Sequence, residues 1–125
     1  MNLISGARQS TRTRGRRFED EAERFLISNG YEILERNWQA GHKEIDLIAR
    51  KGRTIIFVEV KAGGSKSFGH PAARVGRRKQ INVIQAAEQY ISEKEIKDFD
   101  FRFDLITFHQ GKLEHYSAAF MREDN

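Results

Sequence analysis

Asp46, Glu59 and Lys61 are charged residues set inside sequence that otherwise reads as buried strand. They lie in Glu44-Ile45-Asp46-Leu47-Ile48-Ala49 and, past a short turn at Lys51-Gly52, in Ile55-Ile56-Phe57-Val58-Glu59-Val60-Lys61. A lone carboxylate taken out of water costs several kcal/mol or takes up a proton. Two carboxylates around a hard divalent cation have a reason to stay ionised. Magnesium suits them, because it binds through one or two carboxylates, keeps several waters and accepts phosphate oxygens as further ligands. Lys61, beside such an ion, would orient a water or stabilise charge developing on a phosphate.

These three residues depend on the strands that carry them. Side chains alternate along a strand, so Glu59 and Lys61 share a face with Phe57, while Ile56, Val58 and Val60 line the other. A hairpin pairing Ala49 with Thr54 across Arg50 to Arg53 puts Asp46 opposite Phe57 and diagonal to Glu59. That places the two carboxyl groups roughly 5 to 8 Å apart, and a slip of one residue separates them. The competing reading is an ion-pair network on a hairpin face open to water. The run from Ile55 to Val60 is apolar on both faces up to Glu59, which argues for a central strand. On pattern alone the two readings stand level.

Asp46 followed by Glu59-Val60-Lys61 resembles the PD-(D/E)XK signature of restriction-endonuclease-like nucleases. More closely, the chain resembles the bacterial YraN family, whose members share a G-x-x-x-E-x-x-A opening, an E-I-D-L-I-A strand, an F-V-E-V-K strand and a late R-F-D. Here these stand as Gly15, Glu19 and Ala22; Glu44 to Ala49; Phe57 to Lys61; and Arg102-Phe103-Asp104. The resemblance runs from about Gly15 to Phe120. It implies an α/β restriction-endonuclease-like core, similar to that of Holliday junction resolvases, with magnesium or manganese held by Asp46, Glu59 and the Val60 carbonyl. It also implies that Glu19, on a first helix, tips over the sheet to support a ligand water, and that Lys79 at the start of a later helix meets nucleic acid. Two positions depart from the family pattern: Lys43 stands where Gly usually precedes E-I-D, and Gly63 where an Arg usually follows the Lys.

The remaining sequence is consistent with one small α/β domain. With 125 residues, 38% of them hydrophobic, the chain can build one core and no second. It has no cysteine, so disulfides and thiolate metal sites are excluded, and no secretory apolar segment is visible. A cytoplasmic location is the expectation. The net charge of +4 comes largely from Arg8, Arg12, Arg14, Arg16 and Arg17, which leaves the remainder slightly acidic. Residues 1–14 therefore read as a flexible basic arm that either lies along a phosphate backbone or serves solubility.

From Arg16 to Asn29 the positions Phe18, Ala22, Phe25 and Leu26 recur at helical spacing, with Gly30 as a stop. Taken alone, Glu19 reads as part of an acidic helix start with Asp20, Glu21 and Glu23. Tyr31 to Arg36 reads as a short strand; Trp38, after it, is either a base-stacking platform or a core anchor. The stretch from Ala62 to His70, rich in Gly and Ser, reads as a mobile loop beside the charged cluster. A long helix is expected from Pro71 to Lys94. Its first turns carry Arg74, Arg77, Arg78 and Lys79, with Gln80 following, and cations at a helix start point to an anionic partner or to a solvated basic face.

Phe101 to Phe108 and Lys112 to Tyr116 read as strands joined at Gln110-Gly111, with Arg102 and Asp104 forming an internal ion pair. The expected architecture is α/β: a mixed sheet of about five strands flanked by helices, in a nuclease-like domain over 15–120 followed by a frayed 121–125. The expected function is magnesium-dependent cleavage of DNA, with branched or damaged structures as candidate substrates; a nucleic-acid-binding adaptor without cleavage and a protein-protein scaffold are the alternatives. In a homodimer, Phe101, Phe103 and Tyr116 would supply apolar contact.

Overall fold

The computed structural model describes residues 11–62 and 75–122. Helix α1 (Thr11–Ser28) is followed by strands β1 (Glu32–Ala40), β2 (Lys43–Lys51) and β3 (Thr54–Ala62). Helix α2 (Arg77–Glu93) and strands β4 (Asp100–His109) and β5 (Lys112–Phe120) complete the chain. The five strands form one sheet in sequence order, with every neighbouring pair antiparallel except β3 and β4, which run parallel. The connection between those parallel strands contains α2, as a crossover must. This is an α/β fold with a mixed sheet, consistent with a restriction-endonuclease-like core.

The alternation in β3 separates two hydrophobic layers. Ile55 and Phe57 pack with Val83, Ala87 and Tyr90 of α2, while Ile56 and Val58 pack with Ala22 and Leu26 of α1. Each helix thus lays its apolar stripe on one face of the sheet, which leaves β3 buried on both sides. Trp38 is a core anchor: its ring meets Tyr90 edge-on at 5.2 Å between centroids.

Tight turns set the register. Lys51 pairs with Thr54 across Gly52-Arg53, and Gly52 carries φ +61°. A two-residue hairpin of this kind needs a positive φ at its first central residue, which glycine adopts without strain. Gly52→Ala should therefore cost about 1 kcal/mol, measurable by urea denaturation, even though a Cβ there would meet nothing within 4 Å. The turn is two residues shorter than the Arg50 to Arg53 loop expected from sequence, so Ala49 pairs with Ile56 and not with Thr54. A shift of two residues keeps every side chain on its expected face.

Both helices differ from expectation at their starts. The first helix begins at Thr11, five residues ahead of Arg16, so part of the stretch expected as an arm is helical and its first turn carries no acid. Asp20 and Glu23 lie well inside it and pair with Arg36 of β1, so they act in docking the helix and not through its dipole. The second helix begins at Arg77, because Val75 and Gly76 are not helical. Residues 1–10 of the arm, the Gly63 to His70 part of the loop, Pro71, Arg74 and residues 123–125 lie outside the described residues. The turn at Gln110-Gly111 is as expected, with φ of 50° and 76°, but β5 continues past Tyr116 to Phe120.

Candidate metal centre

The observed β2–β3 pairing ends with Leu47 opposite Val58, and just beyond it the Asp46 and Glu59 carboxyl groups interact directly. The two carboxylates are thus closer neighbours than the diagonal placement expected from sequence. Asp46 also sits at a break in strand alternation. Ile45 packs on the α2 side and Leu47 on the α1 side, although residues two apart in a regular strand share a face. Across from this break, in β1, Asn37 takes φ +53°, a left-handed conformation that Asn tolerates better than most residues. The kink leaves the Asp46 side chain able to reach β3, where its Oδ2 accepts a 2.8 Å hydrogen bond from the Val60 N–H.

Electrostatically the pair is tense. Burial pushes Asp46 above the ordinary carboxylate range despite the Val60 hydrogen bond, and the charge of Glu19 adds to the effect. Burial and then the charge of Asp46 push Glu59 up to about 8, against the pull of Lys79. The Glu59 side chain is 13% exposed, and its Oε2 lies 3.5 Å from the Lys79 ammonium. Its Oε1 is buried with no hydrogen-bond partner among the described residues. Two acceptor groups facing each other in this way need either a shared proton or a cation.

The other expected residues are dispersed around this pair. Lys61 is exposed at the end of β3, two residues beyond Glu59 on the same side. Lys79 reaches the site from the first turn of α2, whereas Arg77 and Arg78 are exposed there. Gln80 donates its side-chain amide to the Val75 carbonyl at 2.7 Å, closing the start of the helix. Glu19 accepts a 3.1 Å hydrogen bond from the Asn37 side chain and lies 3.6 Å from Arg36. It therefore reaches the site through Asn37 and through its field on Asp46. Among the described residues no three acidic or histidine side chains converge on one point, so Asp46 and Glu59 form a pair to which Glu19 is peripheral.

Sequence reasoning missed Asn37. The sequence pattern ends the first strand at Arg36, whereas β1 runs through Asn37 to Ala40, and an Asn inside a strand is the available signal for a left-handed kink. Beside it lies an open polar cleft of about 380 Å³ lined by Gly15, Arg16, Glu19, Asn37, Gln39 and Glu44.

The donor set fits a hard divalent cation: two carboxylates on adjoining strands, one buried oxygen lacking a partner, and the Val60 peptide between them. Against this geometry, the profile of the uncharacterised protein family UPF0102 matches residues 18–108. The chain belongs to that family. UPF0102 is the YraN family, so the resemblance read from the motifs holds. A UPF0102 protein of Chlorobium phaeobacteroides (strain BS1) is 44% identical over 117 residues, covering 86% of this chain and 93% of its own. UPF0102 proteins of Sulfurihydrogenibium sp. (strain YO3AOP1) and Dechloromonas aromatica (strain RCB) are each 36% identical, covering 88% and 94% of this chain and 96% and 97% of theirs. The solved structure of Pyrococcus furiosus SfsA in complex with Ca2+ aligns at TM-score 0.33 and 14% identity, over 86% of this chain and 64% of that one. That likeness is too loose to bear on the UPF0102 site. No helix among the described residues of this UPF0102 member is long and apolar enough to cross a membrane.

Proposed function

We propose that this UPF0102 protein is a divalent-cation-dependent nuclease acting on phosphodiester bonds of DNA. The observation that carries the reading is the Asp46–Glu59 pair, half-buried on adjoining strands with one buried Glu59 oxygen lacking a hydrogen-bond partner among the described residues. A fold does not keep such a pair for stability, since burial raises the cost of ionising both groups and the charge of Asp46 raises it further for Glu59. Asp46, Glu59 and the Val60 carbonyl would hold magnesium or manganese, which supplies Lewis acidity toward a phosphoryl oxygen and a more acidic water. The Val60 N–H fixes the Asp46 carboxylate in place. Lys61, exposed at the end of the same strand, orients the attacking water and offsets charge building on the phosphate. Arg77, Arg78 and Lys79 form a cationic helix start on the α2 side, suited to a phosphate backbone.

The test is incubation with single-stranded, duplex and four-way-junction DNA plus manganese, beside Asp46→Ala and Lys61→Ala variants. The reading expects cleavage that needs the cation and vanishes in both variants. Binding without cleavage, weakened by Arg77→Ala and Arg78→Ala, supports an adaptor role. Failure of calorimetry to detect any cation at the carboxylate pair favours the scaffold.

A further inference from the structure

We infer that Lys79 is a displaceable counter-ion of the carboxylate pair, exchanged for the divalent cation and thereby handed to the phosphate backbone of the substrate. The inference rests on the cation-dependent reading above and goes beyond it by assigning a coupling between cation and DNA. Lys79 Nζ lies 3.5 Å from Glu59 Oε2, while 43% of the Lys79 side chain remains exposed. One end of this residue therefore neutralises a buried acid, and its stem has room to swing outward. Its charge also acts on Asp46, so one ammonium serves both acids.

One ammonium cannot do so fully. It supplies a single positive charge to two acids, so Glu59 keeps a proton up to about pH 8, and Glu59 Oε1 has no hydrogen-bond partner among the described residues. A divalent cation held by the same acids would supply both the missing charge and a partner for that oxygen. It would stand close to the ammonium, and two cations at that range in a partly buried site repel strongly. The lysine leaves, and from the first turn of α2 it joins the exposed Arg77 and Arg78 on the face offered to phosphate. Cation binding therefore completes the phosphate-binding surface, and by linkage DNA must tighten the cation by the same factor.

The test uses the full chain with Lys79→Met and Lys79→Arg variants. Calorimetric titration with Mg2+ in the absence of DNA should show Lys79→Met binding the cation about tenfold more tightly than the parent, because its competitor is gone, with Lys79→Arg near the parent. Affinity for a short fluorescent DNA duplex, compared in Ca2+ and in EDTA, should rise with the cation in the parent and rise several-fold less in Lys79→Met. Cation affinity that is unchanged or weaker in Lys79→Met overturns the exchange while leaving the nuclease reading intact. A parent protein that binds no Mg2+ overturns both.

Discussion

Glu59→Gln should give a protein that folds more stably than its parent yet, under the proposed function, no longer takes up a divalent cation. In the folded chain Glu59 holds its proton up to about pH 8, far above the range of an exposed carboxylate. The folded state thus keeps a proton that the unfolded chain gives up near the ordinary value of about 4.3. Stability falls as pH rises through that window, and the full penalty is present above pH 8. Gln removes the titration, so the variant should gain on the order of 3 kcal/mol at pH 9 and little at pH 5. Urea denaturation in EDTA at the two pH values measures this. Under the proposed function, Mg2+ should remove much of the parent's alkaline loss and leave the variant unaffected, with DNA cleavage down on the order of a thousandfold. A variant no more stable than the parent at pH 9 would mean that the two acids are not in conflict.

Asp104→Asn should be the opposite case, with a large loss of stability and no direct effect on cation affinity. Asp104 has no exposed surface, yet it is ionised inside a complete set of donors. Arg102 donates to both of its oxygens at 2.8 Å, the Ala118 N–H donates to Oδ1 at 3.0 Å, and His115 Nε2 lies 2.7 Å from Oδ2. Arg102 in turn donates to the Tyr31 hydroxyl at 2.8 Å. Burial is the largest single influence on Asp104 and opposes its charge, but the hydrogen bonds from His115, Arg102 and Ala118 together hold its pKa below the usual range. Removing the charge strands the Arg102 guanidinium, and losses of about 3 kcal/mol follow when one partner of a buried pair is deleted. For a domain of this size the melting temperature should drop on the order of 15 °C. The linkage sign is opposite to that of Glu59: a depressed carboxylate stabilises at neutral pH and loses that contribution as pH falls below the ordinary carboxylate range. Calorimetric melting should show the parent weakening in acid through Asp104 and the variant indifferent to that change.

What sequence made legible follows from which interactions are local. The faces of β3 were readable because alternation is a local property, and Glu59 and Phe57 share a side whatever the register. The register depended on the turn, where a single positive φ at Gly52 allowed a two-residue loop that charge-rich Arg50 to Arg53 had disguised. The error moved Asp46 by two places and spared the site, since even-numbered shifts preserve facing. The Arg102–Asp104 pair was visible in a strand of its own, while Tyr31 and His115 join it from 71 and 11 residues away and carry no local mark. The Lys79–Glu59 contact was hidden for the same reason, because it depends on how α2 sits on the sheet. Read alone, the cations of that helix start pointed outward, to an anionic partner or to solvent, yet one of them turns inward.

The Ala118 N–H has a consequence for how molecules of this protein meet. It belongs to an outer strand, but it points inward to Asp104, at a residue of φ +53° where β5 carries two residues more than β4 between its pairings. On the opposite rim β1 bulges between Ile33 and Glu35. Both borders of the sheet are therefore bent out of the straight ladder that a foreign strand needs for docking. Growth by edge-to-edge stacking is disfavoured at each end, and crowded protein has no easy route into fibrils along this sheet.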